Sequence, residues 1–368
     1  MPPRILILSA SVGEGHDAPA RRLAVQLRAE QPDVVVEIED CLGVMGKTVS
    51  AISEGAAKVV FFRFLWLWDV GFWVFAGFAI TRRITQFVLV RFGARGLLGL
   101  IDSHRPDVVV SVYPQATEVL GRLRRAGRLQ IPLCAVITDL AALRYWATPG
   151  ADLHLVTHPE SIEEVRRIAG AKTAVHCVHG FCEPEFLVPR AADEARRALS
   201  LEPGGKLVLV SGGGWGVGDV AGAVREVLAV SGVDHVVCLC GRNEELFEQL
   251  TGDFAADERV RVVAFTDEMP DWLAAADALV HSTGGLTVLE ALMRGCPPIS
   301  YGWGRGHVRD NNKAFKRFGL AEVAATPAAL RAAVSKALEQ GCAAIDASVF
   351  PSAASFVLAE AVAARASR

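Results

Sequence analysis

Short runs of aliphatic and β-branched residues recur along the chain, at 5–8, 34–38, 108–112, 133–138 and 153–157. A second series follows at 207–210, 236–239, 260–264, 278–281 and 298–301. Most positions in these runs are apolar, the pattern of strands covered on both faces. Stretches such as 18–30, 117–126 and 159–169 lie between them and place their apolar residues at helical spacing. Strand and helix in alternation predict an α/β chain built from doubly wound parallel sheets. Around 182–189 the pattern lapses into a proline-containing segment and then restarts. Residues 1–184 and 185–350 therefore read as two domains. The alanine-rich stretch 351–368 reads as a helix that packs back on the first domain.

The stretch 51–100 breaks the rhythm and carries no strand pattern. Nine aromatic side chains fall between Phe61 and Phe78, flanked by arginines. Trp and Phe enter a lipid headgroup layer while Arg meets anionic lipid. The stretch thus predicts a membrane-surface contact through Trp66, Trp68, Phe72, Trp73, Arg82 and Arg83. The competing reading is a helix pair that covers one edge of a sheet. No run supplies the roughly 20 uncharged residues of a membrane span; Arg63 and Asp69 interrupt the nearest, 59–80.

Composition narrows the classes. Hydrophobic residues make up 51% of 368, which excludes disorder for the bulk and fits two cores. The net charge of −3 argues against a globally basic nucleic-acid binder. Eight cysteines scattered without framework spacing predict free, buried thiols in a reducing compartment, the cytoplasm. The short apolar run at the start reads as a strand rather than a leader.

Candidate chemistry gathers where strands end. Gly13, Gly15 and His16 follow the first run; glycines admit close backbone approach, and His16 is placed to act as a general base. The same segment nearly matches a dinucleotide fingerprint, with Asp40 where a ribose-binding acid belongs. An NAD-linked oxidoreductase using Gly13–Ala18 and Asp40 therefore stays open. His176, Cys177, His179 and Cys182 crowd seven positions, but alternate strand side chains point apart, and no metal site is predicted. In the second half, Gly212, Gly213 and Gly214 form a flexible turn, and Arg242 offers a cation after the next run. Ser282, Thr283, Gly284, Gly285, Leu286 and Thr287 turn from a strand into a helix, whose N-terminus suits a diphosphate. Glu290 lies close behind, where a carboxylate accepts ribose hydroxyls. Residues 302–312 form a fourth loop, glycine-rich and polar. Four such loops at strand ends predict a nucleotide-sugar crevice.

These motifs carry a resemblance. Gly13-Glu-Gly-His16, Thr138-Asp139 with Trp146 and Asp152, and Gly212-Gly-Gly-Trp-Gly-Val-Gly218 are similar to those of the processive lipid glycosyltransferases and monogalactosyldiacylglycerol synthases. Cys240-Gly-Arg-Asn243, Ala264-Phe-Thr-Asp267 and the stretch from Gly284 to Ala291 continue the likeness. More distantly, the chain resembles the transferase that adds N-acetylglucosamine to the peptidoglycan lipid precursor. The resemblance implies a GT-B fold of two Rossmann-like domains with the active site between them. It implies inverting, metal-independent transfer from a UDP-sugar to a lipid hydroxyl at the membrane, with no further cofactor. His16 becomes the base and Asp139 its orienting partner. Phe265 meets the uracil, Glu290 the ribose, and His307 with Asn311 or Asn312 the sugar hydroxyls. The sequence departs from the family at Ser282-Thr283, where many members have Lys-Pro, and at Gly306-His307, where Gly-Gln is common. A non-catalytic nucleotide-sugar-binding membrane protein is the third reading.

Overall fold

The computed structural model describes residues 2–10, 14–46, 78–141, 143–282, 284–302, 304 and 306–367. The expected membrane residues Trp66, Trp68, Phe72 and Trp73 lie outside the described residues, as do Gly13 and Thr283. The chain divides into two compact units. One comprises Met1–Cys182, Arg305–His307 and Phe350–Arg368; the other comprises Glu183–Gly304 and Val308–Val349.

The first unit holds a six-stranded parallel sheet of β1 (Arg4–Ser9), β2 (Val35–Asp40), β3 (Val108–Ser111), β4 (Leu133–Ile137), β5 (Leu153–Val156) and β6 (Ala174–Cys177), in the order β2-β1-β3-β4-β5-β6. The second unit holds β7 (Leu207–Ser211), β8 (His235–Leu239), β9 (Val260–Val263), β10 (Ala278–His281), β11 (Pro298–Tyr301) and β12 (Glu322–Ala324), in the order β12-β11-β10-β7-β8-β9. Both are doubly wound Rossmann-like sheets. Ile5, Leu6, Ile7 and Leu8 are buried, as are Val108, Val109 and Val110, which accounts for their unbroken apolar runs. The edge strand β12 escaped the sequence pattern; it has three residues and only Ala324 is buried.

Three carboxylates fix the starts of these strands. Asp107, Asp152 and Asp277 each stand one residue before a strand, β3, β5 and β10. They accept the N–H of Arg4, Leu133 and Leu207 at the starts of the neighbouring strands, each at 2.9 Å. Arg124 grips Asp152 with two parallel bonds of 2.9 Å. Lys206 and Arg196 hold Asp277 at 2.8 and 3.1 Å. Such charge-assisted bonds are stronger than neutral ones.

The Ala79–His104 helix passes the length and composition test for a membrane span, beyond what the uncharged-run criterion found in the sequence. One face, however, is spent on the first unit's core. Leu89, Ala94, Leu97 and Ile101 are buried, packed with Met45 and Leu120. Buried Gln86 accepts from Arg122, which also donates to buried Glu118 at 2.6 Å. Ile80, Ile84, Phe87 and Phe92 remain exposed. The Ala353–Ala366 helix packs on the Glu14–Glu30 helix of the same unit, and its entry is tied by the pairs His179 N–H to Pro351 carbonyl and Ala353 N–H to His179 carbonyl, both 3.0 Å. All eight cysteines are free thiols, seven of them buried.

His154 on β5 is fully buried. Its Nε2 accepts the Thr148 N–H at 3.2 Å, while Nδ1 meets no partner. Burial holds this imidazole at a pKa of about 4. The unfolded chain therefore takes up a proton near pH 6.5 that the folded chain refuses until about pH 4. We expect stability to be full above pH 6.5 and to fall by roughly 3 kcal/mol from this residue as pH drops to 4. Denaturant melts of His154→Gln across that window should show a shallower slope; an unchanged slope assigns the acid sensitivity elsewhere.

Candidate functional site

In each sheet one pair of neighbouring strands sends the chain in opposite directions, and ligand crevices form outside the carboxyl ends of such pairs. In the first sheet the pair is β1 and β3. In the second it is β7 and β10. The residues singled out in the sequence cluster at these two places, each within its own unit.

The Glu14–Glu30 helix starts four residues before the expected position, so Gly15 and His16 occupy its first turn rather than a loop. Proline is usual in a first turn, where its missing N–H costs nothing. Here Pro19 sits inside the helix, and the bond it cannot donate is the one to Gly15. Ser9, the last residue of β1, hydrogen-bonds through its hydroxyl to Asp17, tying strand end to helix. His16 Nδ1 lies 2.8 Å from the carbonyl of Val112, just past β3. A carbonyl only accepts, so Nδ1 carries the proton and Nε2 keeps its lone pair. The Tyr113 ring stands edge-on to the imidazole, 5.1 Å between centroids. Burial lowers the His16 pKa, and the Asp139 charge and the Val112 bond act against that shift. The imidazole is thus neutral at pH 7, as a base must be. Asp139 stands half-buried, two residues past β4. Val112 and Tyr113 carry no chemical signature in the sequence; only the strand order brings them to His16.

The carboxylates required by a dinucleotide reading have other work. Asp40 caps the short Cys41–Val44 helix, accepting the Leu42 N–H at 2.8 Å. Glu39 pairs with His104 at 3.4 Å. Of the proposed family motif, Asp152 is the strand anchor described above. His176 stacks on Phe356 at 4.3 Å. Among the described residues no three His, Cys, Asp or Glu side chains gather to hold a metal.

In the second unit, Gly213–Trp215 makes a single 3-10 turn after β7, closed by the Val217 N–H on the Gly212 carbonyl at 2.8 Å. Gly214 accepts the Arg242 N–H at 2.8 Å, which joins the turns after β7 and β8. The Arg242 guanidinium lies over the Phe265 ring at 3.7 Å, and that ring is 39% exposed. Ser282 gives its hydroxyl to the Val217 carbonyl, joining the turns after β10 and β7. The Gly285–Met293 helix has Gly284 at its N-cap, a residue with no side chain to cap the first N–H groups. Gly285, Leu286 and Thr287 form that first turn, with buried Glu290 one turn further along.

The loop expected at 302–312 is shorter than the sequence suggested. Gly302, Gly304 and Gly306 all have positive φ, and the His307–Phe318 helix follows at once. Asn311 and Asn312 are therefore buried on a helix whose apolar face includes Ala314 and Phe315. Asn312 accepts from Ser300 at 2.7 Å and donates to the Gly302 carbonyl at 3.5 Å, which occupies its amide in holding the loop. His307 opens the helix and groups with the first unit.

Known proteins resemble both halves. Residues 54–178 match the family model of monogalactosyldiacylglycerol (MGDG) synthase, and 214–340 match glycosyl transferases group 1. The first match takes in the aromatic stretch. A processive diacylglycerol beta-glucosyltransferase of Staphylococcus aureus (strain MRSA252) is 24% identical over 88% of this chain and 82% of its own. MurG of Acinetobacter baumannii shares the fold at a TM-score of 0.55 and 17% identity, over 99% of this chain and 95% of its own. The glycosyltransferase SnogD of Streptomyces nogalater does so at 0.59 and 17%, over 99% and 100%.

The joined turns of the second unit yield a test. Gly241 has φ +61, and a Cβ there would stand 2.5 Å from the Gly213 carbonyl oxygen. Gly241→Ala should lower unfolding free energy by about 1–3 kcal/mol. A denaturant midpoint equal to the parent's would mean that the two turns separate without penalty.

Proposed function

We propose that this chain, a GT-B glycosyltransferase, moves a hexose or N-acetylhexosamine from a UDP-sugar to the hydroxyl of a lipid or lipid-linked acceptor, with inversion. The observation that carries this reading is the His16 imidazole at the switch point of its sheet, Nδ1 2.8 Å from the Val112 carbonyl, in a place where burial favours the neutral ring. His16 Nε2 takes the proton of the acceptor hydroxyl as its oxygen attacks the anomeric carbon. The bond from that carbon to the UDP oxygen breaks on the opposite face. Asp139 stabilises the imidazolium that forms. The uncapped N–H groups at Gly284–Thr287 receive the charge that develops on the diphosphate, helped by Ser282, Thr283 and the turn of Gly212, Gly213 and Gly214. Arg242 and Phe265 form one wall for the uracil, Glu290 meets the ribose, and His307 with Asn311 reads the sugar. The reaction uses no metal and no cofactor besides the sugar nucleotide.

The acceptor implies a lipid surface, and the Ala79–His104 helix supports a peripheral contact from the cytoplasmic side. Its exposed residues include Ile80, Ile84, Phe87 and Phe92 together with Arg83, Arg91 and Arg95. Positions 80, 84, 87, 91 and 95 recur at helical spacing on one stripe, apolar first and cationic after.

Two tests follow. The protein incubated with a panel of UDP-sugars and lipid extract should yield new glycolipids detectable by mass. His16→Ala should cut turnover about a hundredfold or more while UDP affinity stays near that of the parent; transfer within a few-fold of the parent removes His16 as the base. For the surface, Ile80→Ser, Ile84→Ser and Phe87→Ser combined should weaken binding to phosphatidylglycerol-containing vesicles about tenfold or more. The melt should stay cooperative, because these side chains are already exposed. Unchanged sedimentation with vesicles places the contact elsewhere.

A further inference from the structure

Ser111 and Thr117 are two hydroxyl residues sealed in an otherwise apolar part of the first unit, 0% and 2% exposed. Ser111 ends β3, and Thr117 lies in the first turn of the Pro114–Arg125 helix. Thr117 Oγ1 is 2.8 Å from Ser111 Oγ and 3.1 Å from the Tyr113 carbonyl; Ser111 Oγ is 3.1 Å from the same carbonyl. Each hydroxyl has one proton to give. The arrangement that satisfies both sends the Thr117 proton to Ser111 and the Ser111 proton to the Tyr113 carbonyl. That carbonyl also takes the Thr117 N–H at 3.0 Å. On the other side the Val112 N–H donates to Leu8 at 3.0 Å. The peptide that links Val112 to Tyr113 is therefore clamped on both flanks. Its oxygen is the one that meets His16 Nδ1 at 2.8 Å.

We propose that Ser111 and Thr117 are positioning residues for His16: their hydroxyl relay fixes the Val112–Tyr113 peptide, and the Val112 carbonyl then holds the imidazole with Nδ1 protonated and Nε2 open. The proposal rests on the reading of His16 as the base. Packing alone gives no reason for the pair, because replacing both partners of a buried hydrogen bond with apolar groups is close to neutral. The run Val108–Ser111 would close as well with an apolar fourth residue. The pair instead sits one peptide from the atom that selects the imidazole tautomer. The charged and titratable groups that act on His16 are Asp139 and Asp17, which raise its pKa, and His307, which lowers it. Changing a neutral hydroxyl adds no charge to that set.

The test uses the full chain with Thr117→Val, Ser111→Ala and Thr117→Ser. Nitrogen-15 spectra of the His16 ring report tautomer and titration without any substrate, and sugar transfer is followed against pH. Thr117→Val should show a mixture of ring tautomers and about a tenfold loss in kcat, with KM for the UDP-sugar little changed. The acid limb of its rate profile should move to lower pH, because the lost carbonyl bond favours the charged ring. Thr117→Ser should restore both, and Ser111→Ala should reproduce the defect. If Thr117→Val fails to fold, Ser111→Ala carries the same comparison. A folded Thr117→Val with the parent's tautomer and acid limb overturns the proposal, as does a Thr117→Ser that restores neither. A changed ring with an unchanged rate upholds the positioning and removes the base reading instead.

Discussion

Parallel strands covered on both faces leave their polar backbone ends at the two edges of the sheet, and each edge must be satisfied separately. The amino edge is closed by Asp107, Asp152 and Asp277, which accept strand-start N–H groups. The carboxyl edge is left to glycine turns, one uncapped helix and the first turn that carries His16. Binding chemistry therefore accumulates on one edge of each sheet. The point where the strand order reverses selects which two turns face the same space.

At that point in the first unit, opposing influences meet on one imidazole, and burial prevails. Burial favours the neutral ring, while Asp139 and the Val112 carbonyl favour the charged one. A base needs both, neutrality before the proton arrives and support after it. In the second unit the equivalent place is shaped by backbone rather than by side-chain charge. Ser282, Gly241 and Asn243 bind the turns after β7, β8 and β10 to one another, Asn243 by donating to the Trp215 carbonyl at 3.3 Å.

Much of this was legible in the sequence, for physical reasons. Strands buried on both faces, such as β1, β3, β4 and β7, announce themselves as apolar runs. The edge strands β2 and β9 are mostly half-buried or exposed but are still rich in valine, so ten of the twelve strands were named segments; β6 was seen only through the cluster that ends it. The turn from Ser282 into a helix at Gly285 was readable because Ser, Thr and Gly in succession after an apolar run punctuate the chain, and apolar residues at helical spacing follow. The start of the first helix was not, because Pro19 imitates a first-turn proline. Asn312 looked like a ligand contact, since a buried amide that holds a loop has the same composition as one that reads a sugar. The roles of Val112 and Ser111 depend on β3 lying beside β1, a contact between residues about a hundred positions apart that no local pattern encodes.

The amino-edge carboxylates have an evolutionary corollary. Because three strand pairs are tied at their amino ends, the turns at the carboxyl edge there can change in length and sequence without those pairs slipping. Substrate preference can then drift independently of foldability. A chain 24% identical to a processive diacylglycerol beta-glucosyltransferase across 88% of its length is compatible with that separation.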